Sequence, residues 1–154
     1  MALYMKGAGK VRLARKSNNL IPYPYYESSK THNGITFTIN GKGEVKVSGT
    51  ATSDAVIHIA TKLILPKGEY LLYGGKDLAT LDIFKNNVWL AHSFNGSDTS
   101  IIVDDDTALY AINLAIISGR TVDTIIKPML VRGKYILPYE QGSKPVYIKL
   151  KFKE

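Results

Sequence analysis

The feature that most constrains this chain is a period of two. From Gly34 onward, Ile35, Phe37 and Ile39 alternate with Thr36 and Thr38; Asn40-Gly41-Lys42-Gly43 follows; then Val45 and Val47 alternate with Lys46 and Ser48. Successive side chains of an extended chain point to opposite faces, so this pattern gives one apolar and one polar face. The four residues between the two runs carry the turn chemistry that joins paired strands. The segment predicts a β-hairpin.

The same grammar continues along the chain. Ala55 to Leu65 is an apolar stretch ended by Pro66-Lys67-Gly68, and Glu69 to Tyr73 is a strand that stops at Gly74-Gly75. Leu81 to Phe84 and Val88 to Ala91 flank Asn86-Asn87 and predict a second hairpin. Thr99 to Val103 is β-branched, and Ala108 to Ile117 and Thr121 to Val131 are joined at Ser118-Gly119-Arg120. The one helical rival, 107–117, contains Ile112, Ile116 and Ile117, whose branching favours a strand. Val146, Ile148, Leu150 and Phe152 alternate with Tyr147, Lys149, Lys151 and Lys153, which predicts a terminal strand. Residues 17–33, with Pro22 and Pro24, read as irregular. Pro128 places its segment at an edge or bulge, because proline cannot donate to a ladder. Roughly nine or ten short strands at about 8–12-residue spacing predict an all-β, antiparallel β-sandwich.

Composition narrows the class. At 154 residues the chain has the size of one ordinary domain, and 45% hydrophobic against 21% charged residues excludes wholesale disorder. No run approaches the ~20 apolar residues of a membrane-spanning helix, and the N-terminus lacks the apolar core of a secretory signal. The absence of cysteine excludes disulfides, thiolate metal sites and a cysteine nucleophile.

The net charge of +7 is concentrated at the ends. Residues 1–16 hold Lys6, Lys10, Arg12, Arg15 and Lys16 with no acid. Residues 142–154 hold Lys144, Lys149, Lys151 and Lys153 against Glu154 alone. The stretch between them has eleven basic and twelve acidic residues. A nucleic-acid reader clusters its bases on a folded face, so direct nucleic-acid binding is not expected. Basic ends suit docking onto an acidic protein surface, or are simply solvated tails. The division expected is a basic N-terminal attachment arm (1–17), a β-sandwich (18–141) and a basic C-terminal strand (142–154).

Five landmarks carry a resemblance. They are Asn19-Leu20-Ile21-Pro22-Tyr23-Pro24-Tyr25, Asn33-Gly34-Ile35-Thr36-Phe37, Val47-Ser48-Gly49-Thr50-Ala51-Thr52, Leu65-Pro66-Lys67-Gly68-Glu69-Tyr70 and Ile126-Lys127-Pro128-Met129-Leu130. In this order they resemble a β-sandwich module of tail, baseplate and other minor structural proteins of phages and prophages of Gram-positive bacteria. The resemblance covers about residues 18–140. It implies a jelly-roll related to carbohydrate-binding modules, carried on a virion or phage-tail-like particle made in the bacterial cytoplasm. The partners implied are other particle proteins in multiple copies, and a surface glycan, with no membrane. The basic ends are then the natural attachment points.

No catalytic motif argues for an enzyme. There is no Gly-x-Ser-x-Gly elbow, no His-Glu-x-x-His and no dinucleotide fingerprint. Gly7-Ala8-Gly9-Lys10 fails as a phosphate loop, with Tyr4 in place of the first glycine and Val11 in place of Ser or Thr. His32, His58 and His92 share no metal-ligand spacing. Asp104-Asp105-Asp106 is the densest acidic cluster, and Asp104 and Asp106 are the weak candidates for a structural calcium; the plainer reading is an acidic turn, and no cofactor is expected. For glycan contact the available platforms are Trp89, Tyr73, and Tyr23 and Tyr25 with Tyr26, with His92 beside Trp89. Each has a bland counterpart: a lone Trp often packs a core, and the tyrosines suit packing of the proline-rich segment or a subunit contact.

Overall fold

A computed structural model describes residues 17–144, and every regular element in that span is a β-strand. Lys6, Lys10, Arg12, Arg15, Lys16, Lys149 and Lys151, with the strand expected over 146–152, lie outside the described residues. The strands are β1 (Lys30–His32), β2 (Ile35–Ile39), β3 (Val45–Thr50), β4 (Ala55–Leu63), β5 (Gly68–Tyr73) and β6 (Ala79–Lys85). They continue with β7 (Val88–Ser93), β8 (Thr99–Val103), β9 (Tyr110–Ile116), β10 (Thr121–Ile126) and β11 (Met129–Arg132). All pair antiparallel, in the orders β1-β2-β3-β10, β11-β5-β8 and β4-β9-β6-β7.

The β2–β3 hairpin forms where the alternation places it, with Phe37 opposite Val47 and both buried. Its turn is held by Asn40, whose Oδ1 accepts the Lys42 and Glu44 amides at 2.9 and 3.0 Å. Gly43 adopts φ +76°, and a side chain there would press on the Tyr139 hydroxyl. The Asn86-Asn87 turn joins β6 to β7 with both residues in the left-handed region, φ 49° and 65°. One departure from the sequence reading lies at β1. The stretch 17–33 was expected to be irregular, but Asn33 and Gly34 both take positive φ and fold Lys30–His32 back onto β2. A two-residue turn of that kind pairs whatever precedes it with the strand that follows.

β10 and β11 are one chain path interrupted at Lys127-Pro128, so their two ladders continue into each other and make one layer. The break falls at the proline, which has no N–H to give. The other layer is β4-β9-β6-β7. Between the layers Ile35, Phe37, Val45 and Val47 meet Ile57, Leu81, Ile83, Ile112 and Leu114, with Tyr70 and Leu72, in one buried cluster. Fully burying each such side chain contributes about 1.5–3 kcal/mol, which is the main term opposing chain entropy.

β5 breaks the alternation: Tyr70, Leu71 and Leu72 are all buried. Leu71 belongs to a second cluster with Met129 and Val131, covered by Leu137 and Tyr139. The strand is buried on both faces because the chain after β11 folds back over it.

Candidate functional site

Two regions gather the residues that the sequence singled out. The first is a collar where the described ends meet. The Ser17 amide donates to Ser143 Oγ at 2.9 Å, and the Asn18 amide to a Glu140 carboxylate oxygen at 2.6 Å. Asn19 fastens this collar to the sandwich. It is 3% exposed; its Nδ2 donates to the Pro128 and Glu140 carbonyls, and its Oδ1 accepts the Ile21 and Leu130 amides. All four capacities of the carboxamide are thereby used. Gly142 runs so close that a Cβ would lie 1.7 Å from the Ile21 carbonyl oxygen. Beside the collar a cavity of about 320 Å³ is lined by Ser17, Asn18, Leu20, Val131, Arg132 and Leu137.

The tyrosines considered for glycan contact belong to this region and its surroundings. The Tyr23 hydroxyl donates to the Asn40 carbonyl at 3.1 Å, and the Tyr25 hydroxyl to that of Gly43. Tyr139 donates to Lys42 O at 2.9 Å, and Tyr23 and Tyr25 meet edge-to-face at 5.2 Å. Burial, reinforced by Tyr139 beside it, pushes the Tyr25 hydroxyl far above the ordinary tyrosine range. The Tyr73 hydroxyl donates to Leu137 O and accepts the Leu137 amide, both at 2.9 Å. These hydroxyls tie the two ends of the described chain to the β2–β3 turn and to β5.

The second region is the outward face of β4-β9-β6-β7. Cross-strand pairing sets His58, Asn113, Asp82 and His92 in one row over all four strands. The centre is low, since β9 offers only Ala111 and Ala115 on either side of Asn113. One side is aromatic. Trp89, 53% exposed on edge strand β7, meets the His92 ring edge-to-face at 5.5 Å, and His92 meets Phe94 at 4.8 Å. The other side is polar: Glu27 Oε2 accepts the His58 amide at 2.7 Å and lies 3.1 Å from His58 Nδ1 and 3.0 Å from Lys30 Nζ. Burial pushes the Glu27 carboxyl up, but the His58 amide, Lys30 and the His58 ring outweigh it and hold the group below its usual range.

The middle of this row is not saturated. Asn113 Oδ1 is buried with no hydrogen-bond partner among the described residues. Leaving such an acceptor unmet costs about 1–3 kcal/mol, and native proteins keep few. Asp82, its cross-strand partner, lies 3.9 Å from His92 Nδ1. Burial raises the Asp82 carboxyl above its ordinary range, against the opposing pull of Trp89, His92 and Thr80.

The remaining candidates sit apart. His32 Nδ1 accepts the Val56 amide at 3.0 Å, which ties the β1–β2 hairpin to β4. Asp104 pairs with Lys85 at 3.1 Å, and that ammonium holds its carboxyl below the usual range. Asp105 accepts both the amide and the hydroxyl of Thr107, while Asp106 is exposed. Among the described residues no group of three or more acidic or histidine side chains converges.

Sequence reading named Trp89 and His92 but not Asp82 or Asn113. Alternation marks both as outward, yet their adjacency comes from the β6–β9 ladder, which joins strands distant in the chain. Comparison with family models, with curated proteins and with solved structures yields no match for this chain.

Proposed function

We propose that the chain is a non-enzymatic structural component of a bacteriophage or phage-tail-like particle, such as a capsid decoration or a tail or baseplate accessory. In this reading it exposes the sandwich at the particle surface and docks through its two basic ends. The observation that carries it is the Ser17–Ser143 contact. The described chain thus begins and ends at one place, and the basic segments 1–16 and 142–154, whose combined positive charge exceeds the net charge of the whole chain, adjoin that place in sequence. Cationic segments from a single point can engage one acidic neighbour together, each raising the local concentration of the other. Segments of alternating polarity such as 146–152 also suit addition to a neighbour's sheet edge. The cavity beside the exit offers that neighbour a recess.

Deletion of residues 1–16 tests the proposal. The truncated protein is expected to keep the melting temperature and β-type circular dichroism of the full chain but to be missing from purified particles. Undiminished incorporation contradicts docking through the N-terminal arm.

A second reading is supported by the sheet face: a carbohydrate-binding module recognising a bacterial surface glycan. Here Trp89 is the stacking platform, because its ring is half exposed beside polar groups. Tyr73, Tyr23 and Tyr25 lie away from that face and their hydroxyls are engaged within the chain, so this reading assigns them no contact with the glycan. The two readings are compatible, with docking at the collar and recognition on the opposite layer. A glycan array probed with the wild type and Trp89→Ala checks the second: loss of a positive signal in the variant supports it, and absence of any signal removes it.

A further inference from the structure

We infer that the outward face of β4-β9-β6-β7 is a binding site for a neutral, hydroxyl-rich sugar ring, held at Asn113 and Asp82 and stacked on Trp89. The inference rests on the glycan reading above and assigns it a floor and a ligand class. The geometry that carries it is the row His58–Asn113–Asp82–His92, with small alanines at its centre and an aromatic wall along one side.

Each part of the row restricts the ligand. The Asn113 carboxamide has a buried oxygen with no partner, while its cross-strand neighbour Asp82 carries a carboxylate. A carboxylate only accepts hydrogen bonds, whereas a carboxamide both donates and accepts. The oxygen is buried as it stands, so the proposed contact requires the amide to turn about its terminal torsion and present either function to the ligand. The pair thus matches vicinal hydroxyls, which donate to one group and accept from the other. A purely apolar ligand would leave both groups dry and unmet.

An anionic ligand is disfavoured, because the row carries an acid and no Lys or Arg. The nearby Lys30 is engaged by Glu27. The aromatic wall supplies the complementary surface, since the C–H face of a pyranose packs on an exposed indole. The low floor of β9 at Ala111 and Ala115 lets a ring approach that strand, and Phe84, cross-strand from both Ala111 and Trp89, extends the aromatic side of the face.

The chain has a single tryptophan, so tryptophan emission, excited selectively over the ten tyrosines, reports this face alone. The full-length protein is titrated with neutral tetrasaccharides (cellotetraose, maltotetraose and N-acetylated chitotetraose), with deacetylated chitotetraose as the cationic arm and poly(glycerol phosphate) as the anionic arm. A saturable change with at least one neutral sugar, and a weaker response in both charged arms, is the expected result. Asn113→Ala and Asp82→Asn should each weaken that affinity at least tenfold while the melting temperature is kept or raised. Tyr73→Phe, on the other layer, should bind like the wild type.

The outcomes separate two kinds of failure. If a neutral sugar binds and Trp89→Ala abolishes binding, but Asn113→Ala and Asp82→Asn do not change it, glycan recognition stands and the proposed floor is wrong. If a charged arm binds better than every neutral sugar, the ligand class is wrong. If no arm gives a saturable change, both the floor and the glycan reading are overturned. None of these outcomes bears on docking at the collar, which particle incorporation reads independently.

Discussion

Two asparagines, one in the collar and one on the opposite layer, show what separates a saturated polar region from an unsaturated one. Asn19 in the collar is buried and makes four hydrogen bonds, two given and two received. Asn113 on the sheet face has a buried oxygen that meets nothing. The aromatic residues around them divide the same way. Tyr23, Tyr25, Tyr73 and Tyr139 place their hydroxyls on main-chain carbonyls, whereas Trp89, His92 and Phe94 stack on one another beside Asp82 and leave ring area in solvent. Both regions are aromatic and polar, so composition alone does not tell them apart. Saturation of hydrogen bonds does.

The comparison breaks most readily at Asn19. Replacing it with alanine leaves the Pro128 and Glu140 carbonyls and the Leu130 and Ile21 amides without their partner. The loss should be about 3 kcal/mol, a fall of roughly 10 °C in melting temperature, measurable by calorimetry. A fall of under ~2 °C would mean that solvent replaces the carboxamide freely and that the collar is not a rigid unit.

Asn113→Ala should act in the opposite sense. Removing an unmet acceptor relieves a desolvation penalty, so the melting temperature should hold or rise by about 1–3 °C. A marked loss of stability would show that Asn113 is saturated in solution, and the contrast with Asn19 would fail.

The smallest expected effect is a pH dependence at Asp82. Its folded carboxyl titrates above the ordinary range because of burial, so the folded protein holds this proton more tightly than the unfolded chain does. Its contribution therefore turns unfavourable as pH rises from the ordinary aspartate range through the raised folded value. Asp82→Asn should stabilise the protein modestly at neutral pH, and the gain should vanish as the pH falls below the unfolded value. Thermal melts at pH 3 and pH 7 check this; an equal gain at both would place its origin outside ionisation.

How much was legible in the sequence follows from range. The hairpins at Asn40–Gly43 and Asn86-Asn87, and the break at Pro128, are local consequences of turn chemistry and proline geometry, and all three form as the residues dictate. β1 was missed because three residues are too few to show a period, although the turn that creates it was visible at Asn33-Gly34. Leu71 was unremarkable in sequence, since its cover comes from Leu137 and Tyr139 some sixty residues later. The polar row needed two non-sequential ladders before Asn113 and Asp82 became neighbours. Trp89 could be proposed from its chemistry, but its exposure depends on β7 being the edge of its sheet.

The central proposal is a division of labour, in which the basic ends that adjoin the collar attach the protein to its assembly and the opposite layer stays open. A photo-crosslinking amino acid placed at Asn18, or separately at Val88, tests it most directly, because both positions are exposed, one beside the chain exit and one on the open edge. In assembled particles the probe at Asn18 should couple to another particle protein, and the probe at Val88 should remain uncoupled. Coupling from Val88 with none from Asn18 would contradict the account.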